Sequence, residues 1–159
     1  MLAQAALNLL PPLSKSELLE VLKIHGLVDE INSNILRPFR TPHHTASKVS
    51  IIGGGSKALP GEISLAHNGV LFLDEMPEFP KSILESLRQP LEDRKITITR
   101  TNRKSSYPAN FMLIATMNPC PCGFYGDTTK ECTCSSTQIL NYQRKLSGPL
   151  MDRIDMVVN

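Results

Sequence analysis

The run Gly69-Val-Leu-Phe-Leu73 passes directly into Asp74 and Glu75, and no other stretch restricts this chain as much. An unbroken apolar run with no polar alternation suits a strand buried on both faces of a parallel sheet. A second run, Phe111 to Asn118 (FMLIATMN), repeats the plan and also stops on a polar residue. Apolar strands separated by helical segments, each polar at its carboxyl tip, describe an open α/β sheet, in which ligands bind at those tips. Two adjacent carboxylates there can hold a hydrated magnesium ion, because that hard cation takes carboxylate oxygens, often through water, together with substrate phosphates. In that reading Asp74 orients the metal, Glu75 polarises the water that attacks a γ-phosphorus, and the Asn118 amide holds that water or the phosphate. An ordinary strand ending in a solvated acidic turn has the same short pattern, so the pattern alone leaves both readings open.

The rest of the chain fits around these strands. Leu2 to Leu10 reads as the end of a helix closed by Pro11 and Pro12; Ser14 and Glu17 form a capping-box pattern opening a second helix that runs to His25 or Gly26. Asn32 to Gly61 is rich in Ser, Thr, Gly, Pro and His and predicts a long loop, with a short strand at Val49 to Ile52. A short helix is predicted over Glu62 to Ala66. An amphipathic helix is predicted over Lys81 to Leu91, with Ile83, Leu84, Leu87 and Leu91 on one face. Lys95 to Arg100 (KITITR) alternates as a half-buried strand does, and a polar turn within Thr101 to Ser106 predicts a hairpin, Ile96 to Met112.

Length and charge set the outer bounds. A chain of 159 residues with 41% hydrophobic and 20% charged residues suits one core, and a formal net charge of +2 is too small to demand a polyanionic partner. No apolar run reaches the roughly 18 residues of a membrane-spanning helix. The start lacks the pattern of a secretion signal, so a cytoplasmic location without a membrane partner is expected. Locally, Arg94, Lys95, Arg100, Arg103 and Lys104 cluster on and around the predicted hairpin; they can grip a phosphate backbone without regard to sequence, or form a solvated basic surface. Tyr107 is the one aromatic nearby, which gives little support for base stacking.

Four cysteines fall as two close pairs, Cys120/Cys122 and Cys132/Cys134, in a loop just after Asn118. Such a set suits a tetrahedral structural zinc ion, although C-x-C is tighter than the commoner C-x-x-C, and reduced free thiols are the alternative. With four sulfur ligands no coordination position stays open, so the metal would staple the loop and take no part in catalysis. His43 and His44 are adjacent in an extended segment and are expected on opposite sides, in loop packing and not on a metal. His67 is expected to make a helix-end contact.

Taken together, GVLFLDEMPEF resembles the Walker B segment of the AAA+ ATPases, FMLIATMNPCPCG their sensor 1 strand, and LSGPLMDRIDMVV the segment bearing their arginine finger. With RTPHHTAS and GGGSKALPGEISLAHNG, five motifs in order resemble the magnesium-chelatase-like subgroup, and in particular its bacterial branch linked to DNA uptake and recombination. The resemblance implies a nucleotide-binding α/β core with an inserted loop after its second helix and a β-hairpin before sensor 1. It also implies ATP and magnesium as cofactors, a ring oligomer that is commonly a hexamer, and Arg153 as a finger reaching a neighbouring subunit. A surface arginine paired with Asp152 or Asp155 is the other reading of Arg153.

One departure is important. No G-x-x-x-x-G-K-[ST] is present, and Gly53 to Lys57 (GGGSK) lacks the required ending and reads as a mobile loop. The resemblance then implies that Met1 directly follows the phosphate loop and that residues 1–159 are the central part of one ATPase domain, ending before the lid. The segment alone is expected to be inactive. For the parent protein, a DNA motor of competence and recombination ranks first. The alternatives are a chelatase-type motor driving metal insertion into porphyrin and a non-catalytic interaction domain.

Overall fold

The computed structural model describes residues 2–30, 36–100 and 103–158, and there all side chains except those of Leu2, Arg100 and Arg103. Two helices, α1 (Leu2–Leu7) and α2 (Lys15–His25), are parted by the two prolines. The capping box is present at α2: Ser14 Oγ accepts the Glu17 N–H at 3.3 Å, and Glu17 accepts the Ser14 N–H at 2.8 Å. This satisfies two amides that the first helical turn leaves without partners.

The inserted region holds more structure than its composition suggests. Residues 32–35 lie outside the described residues, but β1 (Phe39–Arg40) follows, and then α3 (Lys48–Ile52) stands where a strand is predicted. The β-branched residues Val49, Ile51 and Ile52 favour a strand in isolation. Ser47 caps the segment by accepting the Ser50 N–H at 3.1 Å, and Ile51 is fully buried in the core, so tertiary packing and a cap override strand propensity. GGGSK is the tip of a small antiparallel hairpin and not a loose loop: β2 (Gly53–Gly54) pairs with β3 (Leu59–Pro60). Gly53, at φ +100°, is required there, since a Cβ would lie 2.6 Å from the Leu59 carbonyl oxygen.

Helix α4 (Glu62–Leu65) leads through Asn68, in the left-handed region at φ 57°, to β4 (Val70–Leu73). Beyond a short 3-10 turn, Met76–Glu78, the amphipathic segment divides into α5 (Lys81–Ser86) and α6 (Arg88–Asp93) where one helix is predicted. Pro90 explains the break. It has no N–H to give Ser86, four residues back, and its ring would clash with that carbonyl. The predicted face survives, with Ile83, Leu84 and Leu87 all buried.

The hairpin forms as predicted, β5 (Lys95–Arg100) against β6 (Arg103–Pro108), with Lys95 opposite Pro108 and Arg100 opposite Arg103. After it come β7 (Met112–Ala115), α7 (Ser136–Gln143) and α8 (Gly148–Met151). The main sheet has the order β1-β4-β7 and is parallel throughout, with Val70 opposite Met112 and Leu73 opposite Ala115. Gly69 lets β1 approach, because the Pro38 carbonyl occupies the space a Cβ would need. Central strand β4 is buried as expected, and Leu71, Leu73, Ile63, Ile83 and Leu150 meet in one core around it. Strand β7 differs from the prediction: among the described residues it lies at a sheet edge, and Met112 is 44% exposed.

Candidate functional site

The parallel register of β4 and β7 brings their carboxyl tips side by side, and the two polar ends meet there. Asp74 and Glu75 follow β4 directly, and Thr116 follows β7. The Thr116 hydroxyl donates to Asp74 Oδ1 at 2.5 Å and accepts the Glu75 N–H at 2.9 Å. The Thr116 carbonyl accepts the Met76 N–H at 2.8 Å, and its own N–H donates to the Leu73 carbonyl at 3.0 Å. Glu75 itself sits in the left-handed region, φ 52° and ψ 51°. A glutamate pays for that conformation and holds it only where its surroundings dictate it. Asp74 and Glu75 are both exposed to solvent.

Asn118 lies two residues beyond Thr116 and is exposed. Its backbone is next to the phenol of Tyr142, which is buried on α7. Burial pushes that phenol's pKa up, the Glu78 and Glu75 carboxylates add to the effect, and the Asn118 backbone works the other way. Gln143 adds a contact from the same helix, donating to the Pro119 carbonyl at 3.4 Å.

The four cysteines gather as their spacing suggested. All four sulfurs lie within 4.8 Å of one another, with Cys120–Cys122, Cys120–Cys132 and Cys122–Cys132 separations of 3.3, 3.7 and 3.6 Å. A sulfur–sulfur bond is about 2.05 Å long, so these are thiols. A tetrahedron with zinc–sulfur bonds of ~2.3 Å has edges of about 3.8 Å, which this donor set fits. Backbone N–H groups, that of Phe124 foremost, lower the Cys122 pKa to about 5. At Cys132 the Cys134 backbone pulls downward, but burial and the Cys122 and Cys120 sulfurs prevail and push it up to about 12. At Cys134 burial, with the same sulfurs, raises the thiol. Neighbouring sulfurs thus resist a second negative charge, a conflict that a bound dication removes.

Arg153 is held elsewhere. Its Nη2 donates to Glu92 on α6 at 2.5 Å and its Nη1 to the Pro149 carbonyl at 2.5 Å, so neither Asp152 nor Asp155 is its partner. Beside it lies a depression of about 290 Å³ lined by Glu85, Arg88, Gln89, Glu92 and Asp93. On the hairpin Arg94, Lys95 and Lys104 are exposed, while the side chains of Arg100 and Arg103 lie outside the described residues. Tyr107 donates its hydroxyl to the Ala58 carbonyl at 2.7 Å and packs on the core, which takes it away from base stacking. His43 and His44 do not diverge: a turn brings their rings to 4.1 Å, and the His44 ring meets Phe79 edge-on. His67 is buried, bonded to Glu20 at 3.0 Å and to the Asn110 N–H at 3.0 Å, and so fastens α2 and the loop before β7 to the start of β4.

Residues 1–159 match the family model described as magnesium chelatase, subunit ChlI. The chain belongs to this family. It is 50% identical over 159 residues to the uncharacterized protein YifB of Salmonella typhimurium, covering 98% of this chain and 31% of that protein. It is 48% identical over 161 residues to the competence protein ComM of Haemophilus influenzae, covering 99% and 31%. Among solved structures, NtrX from Brucella abortus in complex with ADP superposes with a TM-score of 0.50 at 17% identity, over 76% of this chain and 24% of that one. That likeness is one of fold, and the family and the sheet together give an α/β core of the AAA+ type, with the inserted region before β4 and the hairpin before β7. The chain spans under a third of the length of the curated relatives it matches. In this family member, no described helix is long and apolar enough to cross a membrane.

Thr116 and Tyr142 were not singled out in the sequence. The Thr116 hydroxyl interrupts an otherwise apolar strand end, and that polar position was the available signal. Tyr142 carries none, because the groups around it come from two distant segments, around Glu75 to Glu78 and Asn118 to Cys120.

Proposed function

We propose that this chain is the central, hydrolytic part of one AAA+ domain in an ATP-driven ring motor that acts on DNA in recombination or natural transformation. The observation that carries the reading is the pair Asp74 and Glu75 at the tip of the central parallel strand, bound to Thr116 on the neighbouring tip. The family match supports ATP and magnesium as cofactors, and the likeness to ComM, a competence protein, supports the DNA role. Asp74 would hold the hydrated metal, which when bound neutralises phosphate charge. Glu75 polarises the attacking water, and Asn118 holds that water or the terminal phosphate by its amide. Arg153 serves a neighbouring subunit's site in a ring, commonly a hexamer; it leaves Glu92 to do so, exchanging one carboxylate for phosphoryl oxygens. Arg94, Lys95, Arg100, Arg103 and Lys104 line the hairpin that meets the DNA backbone. Cys120, Cys122, Cys132 and Cys134 hold one structural zinc, which fixes the segment following Asn118. Such a motor works in the cytoplasm.

The family's name favours a second reading, a chelatase-type motor coupled to metal insertion into porphyrin. One experiment separates the two and tests the site. ATP hydrolysis by the full-length protein is measured with and without branched DNA, beside Glu75→Gln. Stimulation by DNA and loss of turnover with ATP binding retained are expected. A rate indifferent to DNA favours the chelatase-type motor, and unchanged turnover in Glu75→Gln removes Glu75 from the mechanism.

A further inference from the structure

Thr116 makes four hydrogen bonds to the segment Leu73 to Met76, two through its backbone and two through its hydroxyl. The backbone pair extends the sheet and would exist for any residue but proline. The hydroxyl pair would not. One proton and one lone pair of a single oxygen are directed at two different residues, the Asp74 carboxylate and the Glu75 amide. The consequence for each is specific. Oδ1 of Asp74 accepts one hydrogen bond that restrains the carboxylate, and Oδ2 is the less committed oxygen for a ligand. The Glu75 N–H is satisfied in a left-handed conformation that breaks the extended course of β4 and turns the chain away from it.

We propose that Thr116 is the positioning residue of this site: its hydroxyl sets the direction of Asp74 toward a hydrated magnesium ion and locks the Glu75 backbone in the turn from which its carboxylate acts. The inference rests on the hydrolytic reading of Asp74 and Glu75 and adds the group that aligns them. Neither serine nor threonine at this position alters the backbone; valine keeps the shape and removes the oxygen.

The test compares Thr116→Val and Thr116→Ser with Glu75→Gln in the full-length protein. The first readout is hydrogen–deuterium exchange at Glu75 and Met76 without nucleotide. Thr116→Val should speed exchange at Glu75 about fivefold, the worth of one hydrogen bond of about 1 kcal/mol, and leave Met76, which bonds to the Thr116 carbonyl, protected. The second is the magnesium concentration giving half-maximal ATP hydrolysis, expected to rise about tenfold in Thr116→Val and to return within about twofold in Thr116→Ser. If both readouts are unchanged in Thr116→Val while Glu75→Gln is inactive, the positioning role fails and the site stands. Equal losses in the valine and serine variants also overturn it, because they mark a role in packing and not in the hydroxyl. If Glu75→Gln keeps full turnover, the hydrolytic reading fails, whatever the exchange rates show.

Discussion

Arg40 ends the short strand β1 and reaches α4, donating from Nε and Nη2 to both carboxylate oxygens of Glu62 at 2.6 and 2.8 Å. Its Nη1 donates to Glu30 at 2.8 Å. Hydrogen bonding to Glu62 holds the guanidinium charged, above its already high range, against the opposing effect of burial. The two side chains retain 21% and 20% of their exposure, so solvent screens the pair only in part. Charge centres ~4 Å apart at an effective dielectric of about 20 attract by about 4 kcal/mol. Desolvation and ordering of two long side chains oppose this, and a bidentate pair of this kind retains about 2 kcal/mol. In a double-mutant cycle of Arg40→Ala and Glu62→Ala, read by urea unfolding, the expected coupling is therefore about 2 kcal/mol. For a domain of this size that corresponds to about 4–8 °C in Tm. Arg40→Lys should lose at least about 1 kcal/mol, since an ammonium cannot engage both oxygens at once. A coupling below about 0.5 kcal/mol, or a lysine variant as stable as the parent, would refute the claim that this pair fastens β1 to α4.

Two more predictions concern the helix start and the cysteine loop. The Glu17 carboxyl is held below its ordinary pKa of 4.5, first by the Ser14 backbone and then by the Ser14 side chain. A depressed folded pKa means stabilisation that is complete above 4.5 and lost as pH falls through the folded value. Unfolding of Glu17→Gln, which keeps the capping geometry, should thus differ from the parent at neutral pH and converge with it as the pH falls from 4.5 through the lowered folded value; a constant offset would contradict this. For the cysteines, elemental analysis should find about one zinc per chain, and Cys122→Ser should abolish it. Chelation should then loosen the segment after Asn118, seen as faster amide exchange; well-folded protein without metal would end the zinc assignment.

The sequence legibly encoded whatever depends on neighbours along the chain. Apolar continuity marked β4, the capping-box spacing marked the start of α2, and alternation marked the hairpin strand β5. The two carboxylates and the paired cysteines were visible because their chemistry sits in consecutive or nearly consecutive residues. What the sequence left hidden was set by distant contacts. Val49 to Ile52 reads as a strand in isolation, yet Ile51 gains more from the core as part of a capped helix. Both histidine rings at 43 and 44 fall on one side because the backbone turns there.

The same division holds at the candidate site. Its acidic residues are a property of composition and order, whereas their alignment is a property of register. Only the pairing of Leu73 with Ala115 places Thr116 where one hydroxyl meets both Asp74 and Glu75, across 42 and 41 positions of sequence. Likewise, nothing near Arg153 in sequence foretells Glu92, 61 residues away. Local pattern determines which segments become strands and helices and which side chains they carry. Tertiary structure decides which of those side chains meet, because hydrogen bonds act over about 3 Å and the chain must fold back on itself to bring the partners within that distance.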